Sequence, residues 1–273
     1  MIEEILVAFG AFSISSLDNG NTPIFEPKVG QTPIWEKVKL IALFDKYIST
    51  QMIAEVLGTI RLNNLKISEL KDVNWIQKYQ ENFKPIKFGK NLYVFPSWEE
   101  SLDSNSKIII KMDPGMAFGS GSHETTALCL EYLDSNPPRN NSVMDFGCGS
   151  GILGIASLLL GAKECFAYDI DPQAELATAQ NAKRNKVDNR LFILNFDEIS
   201  NHKVDLLISN ILANTLIELK DQFMGLLRQN GKIVLSGIME SQLEKLCQSF
   251  DNIVDIKKIY KKNGWCLLEG EKK

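Results

Sequence analysis

Val143-Met-Asp-Phe-Gly-Cys-Gly-Ser-Gly-Ile-Leu-Gly-Ile-Ala156 decides the fold. A short apolar run leads into glycines at 147, 149 and 151, and a helix-forming run follows. Glycines at this spacing let the backbone turn sharply between strand and helix and let a ligand lie against it. A strand-to-helix turn without a ligand is the plain alternative. The spacing is G-x-G-x-G, not the dinucleotide G-x-G-x-x-G. Asp145 stands at the strand end, where a carboxylate would oppose a pyrophosphate but suit a cation. S-adenosylmethionine carries a sulfonium and an ammonium and no phosphate. Asp145, Gly147 and Gly149 therefore read as its contacts. A carboxylate that bonds loop amides explains Asp145 as well, and is compatible with the same role.

Outward from this loop the pattern is strand–helix alternation. Strands are expected at 142–146, 164–169, 190–194, 204–209, 232–238, 254–260 and 265–268, with helices between the first five pairs. This is an α/β domain, doubly wound, with a mostly parallel sheet. Lys261-Lys-Asn-Gly264 links the last two strands. Asn-Gly is hairpin chemistry, so the last strand should be antiparallel.

The second of these strands ends in Tyr168-Asp169-Ile-Asp171-Pro172. An acid at position 169 can accept hydrogen bonds from both hydroxyls of a ribose. Asp171 before Pro172 reads better as a helix N-cap. Asp197, after the third strand, is a loop acid that could reach an adenine edge. The fourth strand should lie beside the first, at the switch point where ligands bind, and it runs into Asn210. The Asn210 carboxamide can accept a hydrogen bond from an amine nucleophile or donate one to the cofactor. Helix capping is its alternative.

Asp113-Pro-Gly-Met-Ala-Phe-Gly-Ser-Gly-Ser-His-Glu-Thr-Thr126 precedes the first core strand, so it is not the phosphate-type loop of a βαβ unit. His123 could serve as a base. It has no nucleophile elbow beside it, and the second histidine, His202, lies in a polar loop. A loop-ordering role fits His123 better. The whole stretch reads as a lid that moves on Gly115, Gly119 and Gly121.

Residues 1–72 read as helix, strand, strand, helix, strand: 2–9, 12–17, 37–44, 50–57 and 65–70, with Ser49 as a cap. That order suits a small α+β sandwich. Residues 73–82 are expected as a linker and 83–273 as the catalytic domain, entered through a Pro- and Trp-marked connector. The chain has 273 residues, 44% of them hydrophobic, and a formal net charge of −4. No basic excess argues for nucleic-acid binding. No apolar run is long enough to suggest a membrane span, and the N-terminus is acidic where a signal peptide is basic. Five cysteines without C-x-x-C pairs read as buried thiols rather than metal ligands or disulfides, which suits a cytoplasmic protein.

Taken together, these residues resemble the ribosomal protein L11 methyltransferases, class I S-adenosylmethionine-dependent enzymes. Four stretches carry the likeness: Phe83-Lys-Pro-Ile-Lys-Phe-Gly-Lys with Val94-Phe-Pro-Ser-Trp98; the stretch from Asp113 to Thr126; Asp145-Phe-Gly-Cys-Gly-Ser-Gly-Ile-Leu with Asp169-Ile-Asp-Pro; and Ser209-Asn-Ile-Leu-Ala213. The glycine loop marks only the superfamily. The stretch ending in His-Glu-Thr-Thr, with Asn-Ile-Leu-Ala, is more specific. The resemblance implies a Rossmann-like methyltransferase sheet and cofactor contacts at Thr126, Gly147, Asp169 and Asn210. It also implies methyl transfer to amines of ribosomal protein L11. It implies a ferredoxin-like N-terminal domain that binds the substrate, which this chain matches from the first helix on, without an opening strand. Other readings are a methyltransferase for a different protein or a small or nucleic-acid amine, and a cofactor-binding module without transfer activity. An NAD-dependent oxidoreductase is disfavoured by the glycine spacing and Asp145.

Overall fold

A computed structural model of the chain describes residues 2–20, 35–60, 62–70, 84–99, 107–113 and 123–273. It divides into two compact units, Met1–Trp75 and Ile76–Lys273. The expected linker at 73–82 lies outside the described residues.

In the first unit, α1 (Ile2–Ala8), β1 (Ser13–Asp18), β2 (Val38–Leu43) and α2 (Thr50–Gly58) follow the expected order. β1 and β2 pair antiparallel from Ser13↔Leu43 to Asp18↔Val38. Alternation puts Ile14, Leu40 and Ala42 on the face that packs on buried Leu6, Ile53 and Leu57. Ser49 caps α2 by accepting a hydrogen bond from Met52 N at 3.3 Å. The strand expected at 65–70 does not form, and the sheet holds only β1 and β2 among the described residues. Leu65, Ile67 and Leu70 are exposed there. Apolar alternation creates a face, but a strand also needs a neighbour to complete its ladder.

The second unit opens with a small sheet that sequence reading took for a connector. β3 (Ile86–Phe88) pairs antiparallel with β4 (Leu92–Phe95), and β4 pairs parallel with β5 (Ile108–Lys111). Phe88, Leu92, Val94 and Ile110 from this sheet share one buried cluster with α3 (Glu124–Ser135) and α4 (Ile152–Leu159). The main sheet comprises β6 (Ser142–Phe146), β7 (Glu164–Tyr168), β8 (Leu191–Ile193), β9 (Val204–Asn210), β10 (Leu227–Met239), β11 (Val254–Lys262) and β12 (Trp265–Lys272). Its order is β11-β12-β10-β9-β6-β7-β8. β6 to β10 are parallel, and β12 is antiparallel to both its neighbours. The hairpin before β12 has Asn263 and Gly264 at φ 48° and 81°, as a type I′ turn requires.

Alternation along the strands feeds two cores. Val143, Leu206, Ile208 and Val234 face the first, with α3, α4 and α5 (Pro172–Arg184). Met144, Phe146, Leu207 and Leu235 face the second, with α7 (Ala213–Glu218), α8 (Lys220–Leu226) and α9 (Leu243–Phe250). A short helix, α6 (Phe196–Ile199), follows β8. Because β9 lies between β6 and β10, the chain reverses direction across the sheet at β6. The carboxyl ends of β6, β7 and β9 therefore open onto one crevice, the place where ligands bind in such sheets. Among the described residues no helix is long and apolar enough to cross a membrane.

Candidate cofactor site

The glycine loop is fixed from three sides. Gly147 N and Cys148 N both donate to Tyr168 O, at 2.8 and 3.0 Å, which ties the loop to the end of β7. Gly149 N donates to Asp169 Oδ2 at 2.8 Å. From α5, Thr178 Oγ1 donates to Gly149 O and Asn181 Nδ2 donates to Ser150 O, at 3.1 and 2.9 Å. Gly147, Gly149 and Gly151 sit at φ 74°, 55° and 76°, the left-handed region that favours glycine. A Cβ on Gly151 would also stand 2.8 Å from the Thr178 side chain. Sequence reading missed Thr178 and Asn181. Their signal was two polar residues three apart on the helix face that must pack on the loop.

Asp169, the acid just after β7, is already engaged within the protein. Its Oδ1 accepts from Asp171 N at 3.0 Å while its Oδ2 holds the loop. Each oxygen keeps a further lone pair for an incoming hydroxyl. Asp171 caps α5 by accepting from Gln173 N at 2.9 Å, with Pro172 in the first helical turn. Ile170 between the two acids is 89% exposed, and Phe196, just past the end of β8, is 61% exposed. Large apolar side chains left this open beside an acid suggest a flat apolar ligand surface.

Asp145 is fully buried. The structure corrects the loop-amide alternative: Oδ2 accepts from Gly154 N, inside α4, at 2.8 Å, and Oδ1 has no hydrogen-bond partner among the described residues. Burial pushes its carboxyl from 3.8 up to about 7; the Gly154 bond offsets part of this, and the Asp169 charge adds to it. The folded value lies above the unfolded one, so the native chain holds this proton through the intervening pH range. Stability is therefore lost as pH rises through that range. Asp145→Asn removes the ionisation. Its melting temperature relative to the parent should rise at about pH 8 and change little at about pH 4, as differential scanning calorimetry would read.

Asn210 is the last residue of β9, and its Nδ2 donates to Thr126 Oγ1 at 3.2 Å. It caps no helix, since the N-cap of α7 is Leu212. Thr126 is buried in the first turn of α3. His123 is the N-cap of that helix: its Nδ1 accepts from Thr125 N at 3.3 Å and lies 2.8 Å from Thr125 Oγ1. Its ring meets Trp265 edge-on at 5.0 Å between centroids. The histidine thus orders the start of α3 and packs on β12. Asp197 stands exposed in the first turn of α6. Residues 114–122, with the three glycines read as lid hinges, lie outside the described residues.

Cys129, Cys148, Cys165 and Cys266 are buried and Cys247 is partly so. Burial raises all five thiols above their ordinary value, which suppresses the thiolate. Among the described residues no cluster of His, Cys, Asp and Glu could hold a metal.

Comparison with known proteins bears on the family of the chain. A family model described as ribosomal protein L11 methyltransferase (PrmA) matches residues 1–273. A ribosomal protein L11 methyltransferase of Mannheimia succiniciproducens is 42% identical over 277 aligned positions, covering 100% of this chain and 94% of the relative. One from Pasteurella multocida is 40% identical over 275, covering 99% and 94%. The crystal structure of a ribosomal protein L11 methylase from Lactobacillus delbrueckii subsp. bulgaricus superposes with a TM-score of 0.65 at 32% identity. It covers 70% of this chain and 100% of that one.

Proposed function

The chain belongs to the ribosomal protein L11 methyltransferase family, and from that membership we propose that it transfers methyl groups from S-adenosylmethionine to amino groups of ribosomal protein L11. The observation that carries the reading is the conjunction at the sheet's switch point. A glycine loop preceded by a buried acid, Asp169 at the next strand end, and the Asn210–Thr126 pair stand at the carboxyl ends of the adjacent strands β6, β7 and β9.

The residues present fit S-adenosylmethionine. Positive φ at Gly147, Gly149 and Gly151 keeps side chains off the loop where a ligand backs onto it. Asp145 keeps an orphaned, fully buried oxygen. Cationic charge nearby would lower the cost of ionising it. In the proposed site Asp169 accepts from the ribose, and Ile170 and Phe196 offer apolar surface to the adenine. Gly147 and Gly149 line the methionine portion, and Thr126 and Asn210 lie toward the reacting end. When bound, the cofactor supplies an electrophilic methyl on a sulfonium.

What the protein contributes to the reaction is orientation and dryness. A lysine ammonium ordinarily titrates near 10.4, and only its neutral form attacks. Asn210, with Nδ2 engaged by Thr126, presents its carbonyl oxygen as an acceptor for an amine N–H. That bond aims the nitrogen lone pair along the line of attack. His123 is committed to capping and packing, so no side chain is assigned as a base.

The direct test uses tritium-labelled S-adenosylmethionine with purified ribosomal protein L11. Label should enter L11 on a time course of multiple turnovers. Labelling of a different protein with L11 left unlabelled would remove the substrate and keep the chemistry. Binding of the cofactor without transfer to any amine would leave a binding module.

A further inference from the structure

Asn210 is followed by Ile211, which is gripped between two glycines from different parts of the sheet. On one side a Cβ on Gly147 would stand 2.4 Å from Ile211 Cγ2. On the other, a Cβ on Gly237 would stand 2.1 Å from Ile211 O and 2.8 Å from its carbonyl carbon. Gly237 has φ 84° and lies where the β10–β12 register slips, between Leu235 and Ile238. A bulge at this point bends β10 away and opens room for the backbone of the Asn210–Leu212 turn. The residue before it, Ser236, is paired with Asn210 across the β9–β10 ladder. Its Oγ bonds Thr125 O at 3.2 Å, so the same strand also holds the helix that carries Thr126.

The grip adds a side-chain contact between two parts of the site that Ser209 Oγ, donating to Phe146 O at 2.7 Å, already ties together one residue back on each strand. The methyl branch of Ile211 touches the first glycine of the cofactor loop, and its carbonyl lies against a bulge that cannot yield. Asn210 is one peptide bond away. We propose that Ile211 is a positioning residue: the contact of its Cγ2 methyl with Gly147, braced by Gly237, sets the Asn210 carboxamide in register with the cofactor loop. The inference rests on the reading of Asn210 as the group that orients the amine. Packing interiors are close to jigsaw fits, so loss of one methyl at a grip like this leaves slack that the turn takes up by shifting. Displacements near 1 Å at a reacting group cost rate steeply.

Shape, rather than bulk, is the discriminating variable. Valine keeps the branched methyl and loses only the distal carbon. Leucine keeps the volume and loses the branch at Cβ. Steady-state transfer to ribosomal protein L11, with S-adenosylmethionine affinity measured by calorimetry, is the assay. Ile211→Val should stay within about threefold of the parent kcat, whereas Ile211→Leu should lose roughly 10- to 100-fold. Cofactor Kd should move by less than about threefold in both. The double variant Asn210→Ala with Ile211→Leu should be no slower than Asn210→Ala alone, because residues acting through one group are not additive. Equal kcat for the valine and leucine variants, or additive losses in the double variant, would overturn the proposal while leaving Asn210 in its role. An unchanged kcat in Asn210→Ala alone would instead remove the reading of Asn210 on which it stands.

Discussion

Asp169→Ala should weaken S-adenosylmethionine binding by at least about a hundredfold. Two separate losses add. A carboxylate that accepts from a ribose contributes about 1.5–3 kcal/mol per charge-assisted bond. The same side chain holds Gly149 N and Asp171 N, at 2.8 and 3.0 Å, so its removal also loosens the loop before any ligand arrives. Asp169→Asn separates the two. Its single oxygen can still hold one of the two amides, but its NH2 cannot accept, so affinity should fall between parent and alanine variant. Titration calorimetry with S-adenosylmethionine checks both. Alanine binding within about threefold of the parent would contradict the assignment.

Asn210→Ala should reduce kcat by about 100- to 1,000-fold, the range seen when one preorganised hydrogen-bonding group is removed from a reacting centre. Cofactor Kd should rise by less than about tenfold, since among the described residues the Asn210 side chain has one hydrogen bond to the surrounding protein, that to Thr126. A loss in kcat with KM for L11 nearly constant identifies an interaction made mainly in the transition state. Single-turnover measurements separate this from slow product release. A variant with the parent kcat but weaker cofactor binding would move Asn210 from the nucleophile to the cofactor.

The fold was legible wherever periodicity and punctuation agreed. The seven strands of the main sheet and the hairpin at Asn263-Gly264 were read from apolar runs bounded by turn chemistry, and they stand as expected. Strand β9 beside β6 followed from doubly wound topology. The failures have one cause, because pairing is a property of neighbours. Leu65–Leu70 alternates like a strand but has no ladder partner among the described residues. Ile86–Phe88 and Leu92–Phe95 are short and Pro-flanked, and their sheet exists because α3 covers it. At the site, residue type and strand-end position singled out Asp145, Asp169 and Asn210 as candidates, because a carboxylate or amide at the carboxyl end of such a strand can face a ligand. Thr178 and Asn181 left only a faint signal, a polar pair three apart on a helix face, and Ile211 stood inside a quoted stretch without a role, since all three act by facing the loop and only packing reveals facing.

The ties from Thr178 and Asn181 to the loop carbonyls bear on how the enzyme recycles. They hold Gly149 and Ser150 in place by bonds internal to the protein. For the proposed reaction, a cradle set in this way grips the nucleoside and amino-acid portions alike before and after the methyl has left. Only the methyl and the sulfonium charge it carries away distinguish donor from spent product. Inhibition by S-adenosylhomocysteine is then built into the scaffold, and the cell's rate of clearing that product becomes a control on the extent of L11 methylation.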